Sequence, residues 1–295
     1  MAGGFRSFMD TLDGLGSSPT GRERLAAELR RLRGLAGVSG RDLAQRVGIS
    51  QSKVSRIESG AVIPSLPEVT AWGKELGVSV ETQAQLAALI EAAYNEVHPW
   101  GSALQRGNLQ ESVQDQESTA TRIAVFQPSV VPGLLQTAEY ARRVIGMFHR
   151  DYARSDQAAE ISSRLHRQLA LYDTDRHFDF LITEAALRWR PGPVQVLLAQ
   201  LDRIMSIRTL DNVTVGLIPL SAEATTLTSH GFVLYEGDGQ ESWVTVETIH
   251  ADMKVAAPDH VGIYRSRWGL LREMALYGDE AREFLSRIVA GLRTG

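Results

Sequence analysis

The chain of 295 residues contains no cysteine. Disulfide bonds, zinc sites with thiolate ligands, iron–sulfur clusters and a cysteine nucleophile are therefore excluded together. A chain without thiols is also compatible with a reducing compartment. The absence of this one residue type removes disulfide-stapled proteins, thiolate metalloproteins and cysteine-dependent enzymes from consideration.

Long apolar segments are also missing. The first eighteen residues are rich in Gly and Ser and lack the apolar stretch of a signal peptide. No later run reaches the roughly 20 residues needed to cross a bilayer. We therefore expect a flexible tail over residues 1–19, a soluble cytoplasmic protein, and no membrane partner.

What remains is an ordinary globular composition. Hydrophobic residues make up 43% of the chain and charged residues 22%, which is typical of proteins that fold into a packed core. A chain of this length suits two domains, each able to bury a core of its own.

The net charge of −4 is unevenly distributed along the chain. Residues 20–80 carry ten Lys and Arg against six Asp and Glu, so this segment is basic and the remainder is acidic. A basic domain that contacts phosphate, joined to an acidic domain that does not, would give this distribution.

Capping and spacing patterns in residues 20–98 predict five short amphipathic helices. The first spans about 20–35, and the fifth spans about 82–97, where Pro99 stops it. Three serines fit the N-caps of the helices between them, namely Ser39, Ser50 and Ser65.

Gly48 separates the second predicted helix from the third. A tight turn between helices often needs a positive φ, which glycine adopts at little cost. In the third helix, over 51–58, Val54 and Ile57 are three residues apart and should face inward. The outward residues are polar or cationic, as a helix in the major groove requires, and they are Gln51, Ser52, Lys53, Ser55 and Arg56.

The segment Arg41–Gly60, with the order of five helices, closely resembles the phage-repressor and Cro (XRE-type) family of helix-turn-helix domains. This resemblance implies double-stranded DNA as a partner and places Gln51, Ser52 and Arg56 on the base-reading face. Gly40 stands where some relatives carry a phosphate-binding glutamine. Further cations and hydroxyls on the two helices are expected to hold backbone phosphates, namely Lys53, Ser55, Arg41 and Arg46. The alternative is a helical hairpin whose exposed charges are merely solvated.

The second half of the chain has a different pattern. Residues 99–121 are polar and suit a partly helical connector, and residues 122–295 alternate strand and helix patterns. We expect an α/β or α+β domain whose mixed sheet has about five strands, with a hairpin turn at Gly237–Gly239. The strand patterns lie at about 123–126, 177–183, 213–219, 232–235 and 243–249.

Four segments of this domain are similar to an actinobacterial group of repressor-like proteins, the WhiJ-like regulators. The resemblance lies in Phe126–Pro128, Val131–Arg142, Arg164–Gln168 and Val213–Val215. It implies a DNA-binding regulator with an antitoxin-like C-terminal domain, often paired with a small protein encoded nearby. It supplies no catalytic residue.

Motifs for catalysis or cofactor binding are fragmentary. Gly237-x-Gly239 lacks the rest of a dinucleotide loop, and neither a phosphate loop nor a Gly-x-Ser-x-Gly elbow is present. Glu247, His250 and Asp252 form a conceivable metal or acid–base group, but a lone histidine at a strand end is more often structural. We therefore expect no enzyme activity, no catalytic residue, no metal and no cofactor.

The most consistent hypothesis is a sequence-specific, DNA-binding transcriptional regulator that reads the major groove with helix 51–58. Its C-terminal domain, 122–295, would serve dimerisation and sensing of a partner or effector. A homodimer could hold two reading helices about 34–36 Å apart on a near-palindromic operator. The alternatives are a small-molecule-sensing regulator and a regulator fused to an enzyme. A pocket with a few convergent polar groups would favour the first, and clustered titratable side chains the second.

Overall fold

A computed structural model of the chain describes residues 20–99, 117, 119–148, 157–237, 242–249 and 251–294. The chain divides into an N-terminal unit that ends at Glu96 and a C-terminal unit that begins at Val97. The tail predicted at 1–19 lies outside the described residues, as does most of the predicted connector.

The N-terminal unit contains five helices, which confirms the helical prediction. They are α1 (Gly21–Leu35), α2 (Gly40–Val47), α3 (Gln51–Glu58), α4 (Leu66–Glu75) and α5 (Val80–Tyr94). Each begins after a Thr or Ser whose side chain accepts a hydrogen bond from the backbone N–H three residues later, so local chemistry sets all five starts. These capping residues are Thr20, Ser39, Ser50, Ser65 and Ser79.

One buried cluster holds these helices together, and every helix contributes to it. Trp72 of α4 and Leu86 of α5 are fully buried, and Ile57 of α3 is 1% exposed. Because burying one such side chain contributes about 1.5–3 kcal/mol, this cluster fixes α3 on the rest of the unit.

The predicted end of the fifth helix is wrong. The helix stops at Tyr94, and Asn95–Pro99 forms a strand, β1, where the sequence pattern indicated helix as far as residue 97. The physical reason is tertiary, because β1 is the edge strand of a sheet and spacing along the chain carries no signal of that pairing.

Six further strands, together with β1, whose residues from Val97 onward belong to the C-terminal unit, form one seven-stranded sheet in the order β1-β7-β6-β5-β2-β3-β4. They are β2 (Arg122–Gln127), β3 (His177–Thr183), β4 (Val213–Ile218), β5 (Phe232–Glu236), β6 (Ser242–Glu247) and β7 (Ala251–Val255). The helices are α6 (Ala138–Phe148), α7 (Gln157–Arg167), α8 (Glu184–Arg188), α9 (Val194–Ile207), α10 (Pro258–Glu273) and α11 (Gly278–Thr294).

The sheet is mixed, as predicted. β2, β3 and β4 are parallel neighbours, whereas β5, β6 and β7 are antiparallel and join the parallel part through β2. β5 and β6 are the two strands that the hairpin at 237–239 was expected to connect, and residues 238–241 lie outside the described chain. Strand β7 is additional to the five predicted, because Asp252, Met253 and Lys254 show no apolar alternation.

Both faces of the sheet are covered. Ile123 and Val125 of β2 belong to one buried cluster, whereas the alternate residues Ala124 and Phe126 belong to another on the opposite face. A strand buried on both faces has a continuous apolar run, as the central strands show. Within the described residues, no helix is both long and apolar enough to span a bilayer.

Candidate nucleic-acid interface

The turn between α2 and α3 has the geometry that its glycine predicts. Gly48 has φ 76° and ψ 29°, and its N–H donates to the carbonyl of Ala44. A side chain at Gly48 would meet no atom within 4 Å, so the strain of a substitution there would come from the backbone alone. Two residues later, the Ser50 hydroxyl accepts a hydrogen bond of 3.1 Å from the Lys53 N–H and starts α3.

Helix α3 has one buried face and one exposed face. Val54 and Ile57 are 2% and 1% exposed and pack into the core. The predicted base-reading residues Gln51, Ser52 and Arg56 all lie on the exposed face, and Ser55 lies there with them. At 100° per residue, positions 51, 52, 55 and 56 fall within an arc of about 140°. The helix therefore presents these four side chains together.

The other predicted phosphate contacts differ in their surroundings. Arg41, in the first turn of α2, and Arg46, in its last turn, are both exposed. Lys53 is only partly exposed, and its Nζ forms an ion pair with Oε1 of Glu68 on α4. Arg41 and Arg46 are thus accessible to a phosphate from solvent, whereas Lys53 is paired with a carboxylate of its own chain.

Both carboxylate oxygens of Glu68 have hydrogen-bond partners. Its second oxygen, Oε2, accepts a hydrogen bond of 3.0 Å from the Ser65 N–H and completes the capping box of α4. Burial alone would raise the pKa of Glu68, but the hydrogen bonds from Lys53 and Ser65 outweigh it and lower the pKa. Glu68 is therefore a carboxylate that partly neutralises the positive charge of α3.

The C-terminal end of α3 is fastened to α1 by a second ion pair, which is mostly buried. Arg33 donates through Nε and Nη2 to the two oxygens of Glu58, at 2.6 and 2.8 Å, and its Nη1 donates to the Val38 carbonyl at 2.9 Å. The hydrogen bond to Glu58 raises the pKa of Arg33. Arg30 also donates to the backbone carbonyl of Glu58. These contacts orient α3, and spacing along the sequence does not indicate them.

A cleft of about 390 Å³ lies beside the exposed face of α3. It brings Arg30, which sequence reasoning did not single out, close to Gln51 and Ser55. At Gly40, the first residue of α2, the wall of the cleft carries no side chain. The cleft therefore extends the cationic surface beyond the motif itself.

The fragmentary metal or acid–base group has no counterpart among the residues that the structure describes, where no three His, Asp or Glu side chains are placed to hold a metal ion. Glu247 is the last residue of β6 and Asp252 lies in β7, directly opposite it. His250 itself lies outside the described residues.

Comparison with known families identifies both parts of the chain. A family described as a helix-turn-helix domain matches residues 24–88. A family described as a domain of unknown function, DUF5753, matches residues 110–287. No curated protein matches the chain.

Several solved structures show partial likeness. The clp gene regulator ClgR from Corynebacterium glutamicum is 34% identical over 24% of this chain and 92% of its own, with a TM-score of 0.22. Bacillus thuringiensis PlcR, solved with the peptide PapR7 and DNA, is 16% identical over 62% of this chain and 50% of its own, with a TM-score of 0.20. The archaeal chromatin protein TrmBL2 is 12% identical over 77% and 68%, with a TM-score of 0.30.

Residues 24–88, which include α2 and α3, thus form a helix-turn-helix domain. The exposed face of α3 carries hydrogen-bonding and cationic side chains. Together, these findings support a DNA-binding transcriptional regulator.

Proposed function

Since the chain belongs to the DUF5753 family, whose domain spans residues 110–287, and carries a helix-turn-helix domain before it, we propose that it is a sequence-specific transcriptional regulator that reads the major groove with α3. The observation that carries this proposal is the exposed face of α3. Its opposite face is fixed in the core by Val54 and Ile57, so the exposed side chains have a defined direction.

The proposed base contacts follow from side-chain chemistry. Gln51 and Ser52 occupy the first turn of α3, which is where a recognition helix meets base edges. A glutamine side chain can pair with both hydrogen-bonding groups of adenine, and an arginine can donate two hydrogen bonds to guanine. Gln51 and Arg56 are therefore the proposed specificity residues, with Ser52 as a less selective contact.

The proposed phosphate contacts position the helix without reading sequence. Arg41 and Arg46 lie in the first and last turns of α2, and Lys53 and Ser55 lie between Ser52 and Arg56 on α3. Each cation that replaces a counterion on DNA makes binding more sensitive to salt. The structure adds Arg30 to this group, because it lines the cleft next to Gln51.

Binding of the purified chain to genomic fragments, including its own promoter region, over a salt series tests the proposed function. We expect one or a few fragments to be retained at salt concentrations that release all others. Binding that is weak and indifferent to sequence at every salt concentration would contradict the assignment.

Substitutions at Lys53 and Glu68 test the phosphate contact. Lys53→Ala should weaken binding to specific and unrelated DNA alike and reduce the slope of log K against log salt by about 0.9, the value for one lost phosphate contact. Glu68→Gln should strengthen binding to specific and unrelated DNA alike and steepen the dependence on salt. Glutamine can still complete the capping box, but it no longer neutralises Lys53.

The control for this pair is Glu75→Gln, which removes the same charge from an exposed position at the end of the same helix. If Glu75→Gln strengthens binding as much as Glu68→Gln does, the effect comes from net charge and not from release of Lys53. Fluorescence anisotropy measures these affinities, with one specific and one unrelated labelled duplex titrated at four salt concentrations.

We further propose that the C-terminal unit serves dimerisation and the sensing of an effector or partner, including a small protein encoded nearby, and that it is not an enzyme. The C-terminal unit has a separate core on each face of its sheet, whereas α3 is fixed by the core of the N-terminal unit, and this supports a role for the C-terminal unit other than positioning α3. A regulator of this kind acts where the chromosome is, which places it in the cytoplasm. Light scattering of the complex with DNA should give the mass of two chains of 32.4 kDa plus that of the duplex, and one chain both free and bound would contradict the proposed dimer.

A further inference from the structure

Arg164, in the last turn of α7, is partly buried, and no carboxylate among the described residues forms an ion pair with it. Its Nη1 donates a hydrogen bond of 3.1 Å to Oε1 of Gln136, and its Nε is buried and has no partner. Arg167, three residues later, shows the contrast, since its Nε donates to Glu117 at 3.1 Å and its Nη2 pairs with the same carboxylate. Of these two arginines, Arg167 is compensated by a buried carboxylate and Arg164 is not.

The loop next to Arg164 does not supply an acceptor for its Nε. Gln136 is fixed by a hydrogen bond of 2.7 Å from its Nε2 to the Val131 carbonyl. Gln168 donates to the carbonyls of Gln136 and Gly133, at 2.7 and 3.3 Å. A Cβ built at Gly133 would lie 3.8 Å from Nε of Arg164, so this loop lies close to the guanidinium, while these three carbonyls accept their hydrogen bonds from glutamine side chains.

The surrounding charges are also incompletely balanced. Burial lowers the pKa of Arg164, and Arg167 adds to this effect, whereas Glu247 and Glu160 oppose it without reversing it. A buried donor with no acceptor costs free energy that an apolar side chain of similar shape would not. A group of this kind in a folded protein therefore needs an explanation, and a bound ion or ligand is one.

Trp243 of β6 carries a second buried donor. Nε1 of Trp243 has no partner, and the Trp243 ring stacks on Tyr235 with centroids 5.2 Å apart. Tyr235 lies close enough to Arg167 and Glu117 to feel both charges. Both unpartnered groups can only donate hydrogen bonds, so a ligand that satisfied either of them would have to bring an acceptor.

We infer that Arg164 is the anion-binding group of an effector site in the C-terminal unit, and that the effector carries a carboxylate. The guanidinium fork matches the two oxygens of a carboxylate or of a phosphate. Glu247 and Glu160 favour the carboxylate, because their negative charges repel a dianion more strongly than a monoanion. This inference deepens the proposed sensing role of the C-terminal unit, and its regulatory meaning rests on that proposal.

Thermal unfolding of the full chain provides the test, with sodium acetate and sodium benzoate as probes and sodium chloride and sodium phosphate at equal ionic strength for comparison. A carboxylate probe should raise Tm saturably, by about 3–6 °C at ten times its Kd. Arg164→Met should abolish this rise and should unfold, without the probe, at the same temperature as the wild type or higher. Arg265→Met, which removes an exposed arginine paired with Glu236, should leave the rise intact.

Arg164→Lys keeps the charge but loses the fork, and it should retain only a reduced rise in Tm. A rise that persists in Arg164→Met, no saturable rise with either carboxylate, or an Arg164-dependent rise with phosphate alone would each overturn the inference. So would unfolding of Arg164→Met and Arg164→Lys at clearly lower temperature than the wild type without any carboxylate effect, because that result would make Arg164 structural. The measurement involves no DNA, so a failure to bind DNA would overturn the proposed function and leave this inference standing.

Discussion

Glu58→Ala is expected to lower the free energy of unfolding of the N-terminal unit by about 3 kcal/mol. The substitution removes both acceptors of the bidentate pair with Arg33 and leaves a guanidinium with only 21% of its side chain exposed. The expected loss lies at the lower end for a buried pair, because Arg33 retains some solvent contact and its bond to the Val38 carbonyl. Native-state hydrogen exchange of the α3 amides should show about a hundredfold loss of protection.

Two comparison variants separate the ion pair from general effects of charge. Glu28→Ala removes a carboxylate that pairs with Arg31 on the exposed side of α1, and it should cost far less. Replacing Arg33 and Glu58 together by methionine should recover most of the lost stability, since no charge is then left buried and unpaired. If Glu58→Ala lowered the free energy of unfolding no more than Glu28→Ala does, the Glu58–Arg33 pair would not be the contact that stabilises α3.

Arg56→Ala should weaken binding to the specific DNA site by about 1–3 kcal/mol, which is about 5- to 150-fold in Kd. The side chain is exposed on α3 and lies one turn beyond Ser52, so it is placed to donate two hydrogen bonds to one guanine. Discrimination at one base pair should relax, whereas binding to unrelated DNA should fall only by the loss of one positive charge. Titration of duplexes with each of the four base pairs at every operator position measures both effects.

Lys74→Ala is the matched control for Arg56→Ala, because it removes one positive charge from an exposed position of α4, outside the two motif helices. It should leave base preference unchanged. An Arg56→Ala variant that bound every duplex more weakly by the same factor, with its base preferences intact, would show that Arg56 contacts phosphate and not a base edge.

Both predictions concern α3, the first its stability and the second its binding to DNA. The Glu58–Arg33 pair and the core contacts of Val54 and Ile57 determine where α3 lies. Gln51, Ser52 and Arg56 are the residues proposed to read base edges. A loss of specific binding in Glu58→Ala should therefore be accompanied by a loss of protection in α3, whereas Arg56→Ala should leave the protection of α3 unchanged.

Much of the N-terminal unit could be predicted from the sequence, because its determinants are local. A capping serine and the N–H it accepts from are three residues apart, and the positive φ of Gly48 depends on that residue alone. The burial of Val54 and Ile57 follows from helical spacing once the helix starts at Ser50. These interactions need no knowledge of distant parts of the chain.

The sequence by itself therefore determined the order of the five helices, the serine caps of α2, α3 and α4, the turn at Gly48, the exposed face of α3 and the mixed character of the sheet in the second domain. Only the tertiary structure decided the order of the sheet and the strands β1 and β7, because strand pairing joins residues far apart in the chain. It also decided which cations have partners, with Lys53 paired to Glu68 and Arg33 to Glu58 while Nε of Arg164 has none. The physical reason is the same for the strands and for the cations. Spacing along the chain fixes which way a side chain or strand faces, but the strand or charge that it meets is contributed by a distant part of the chain.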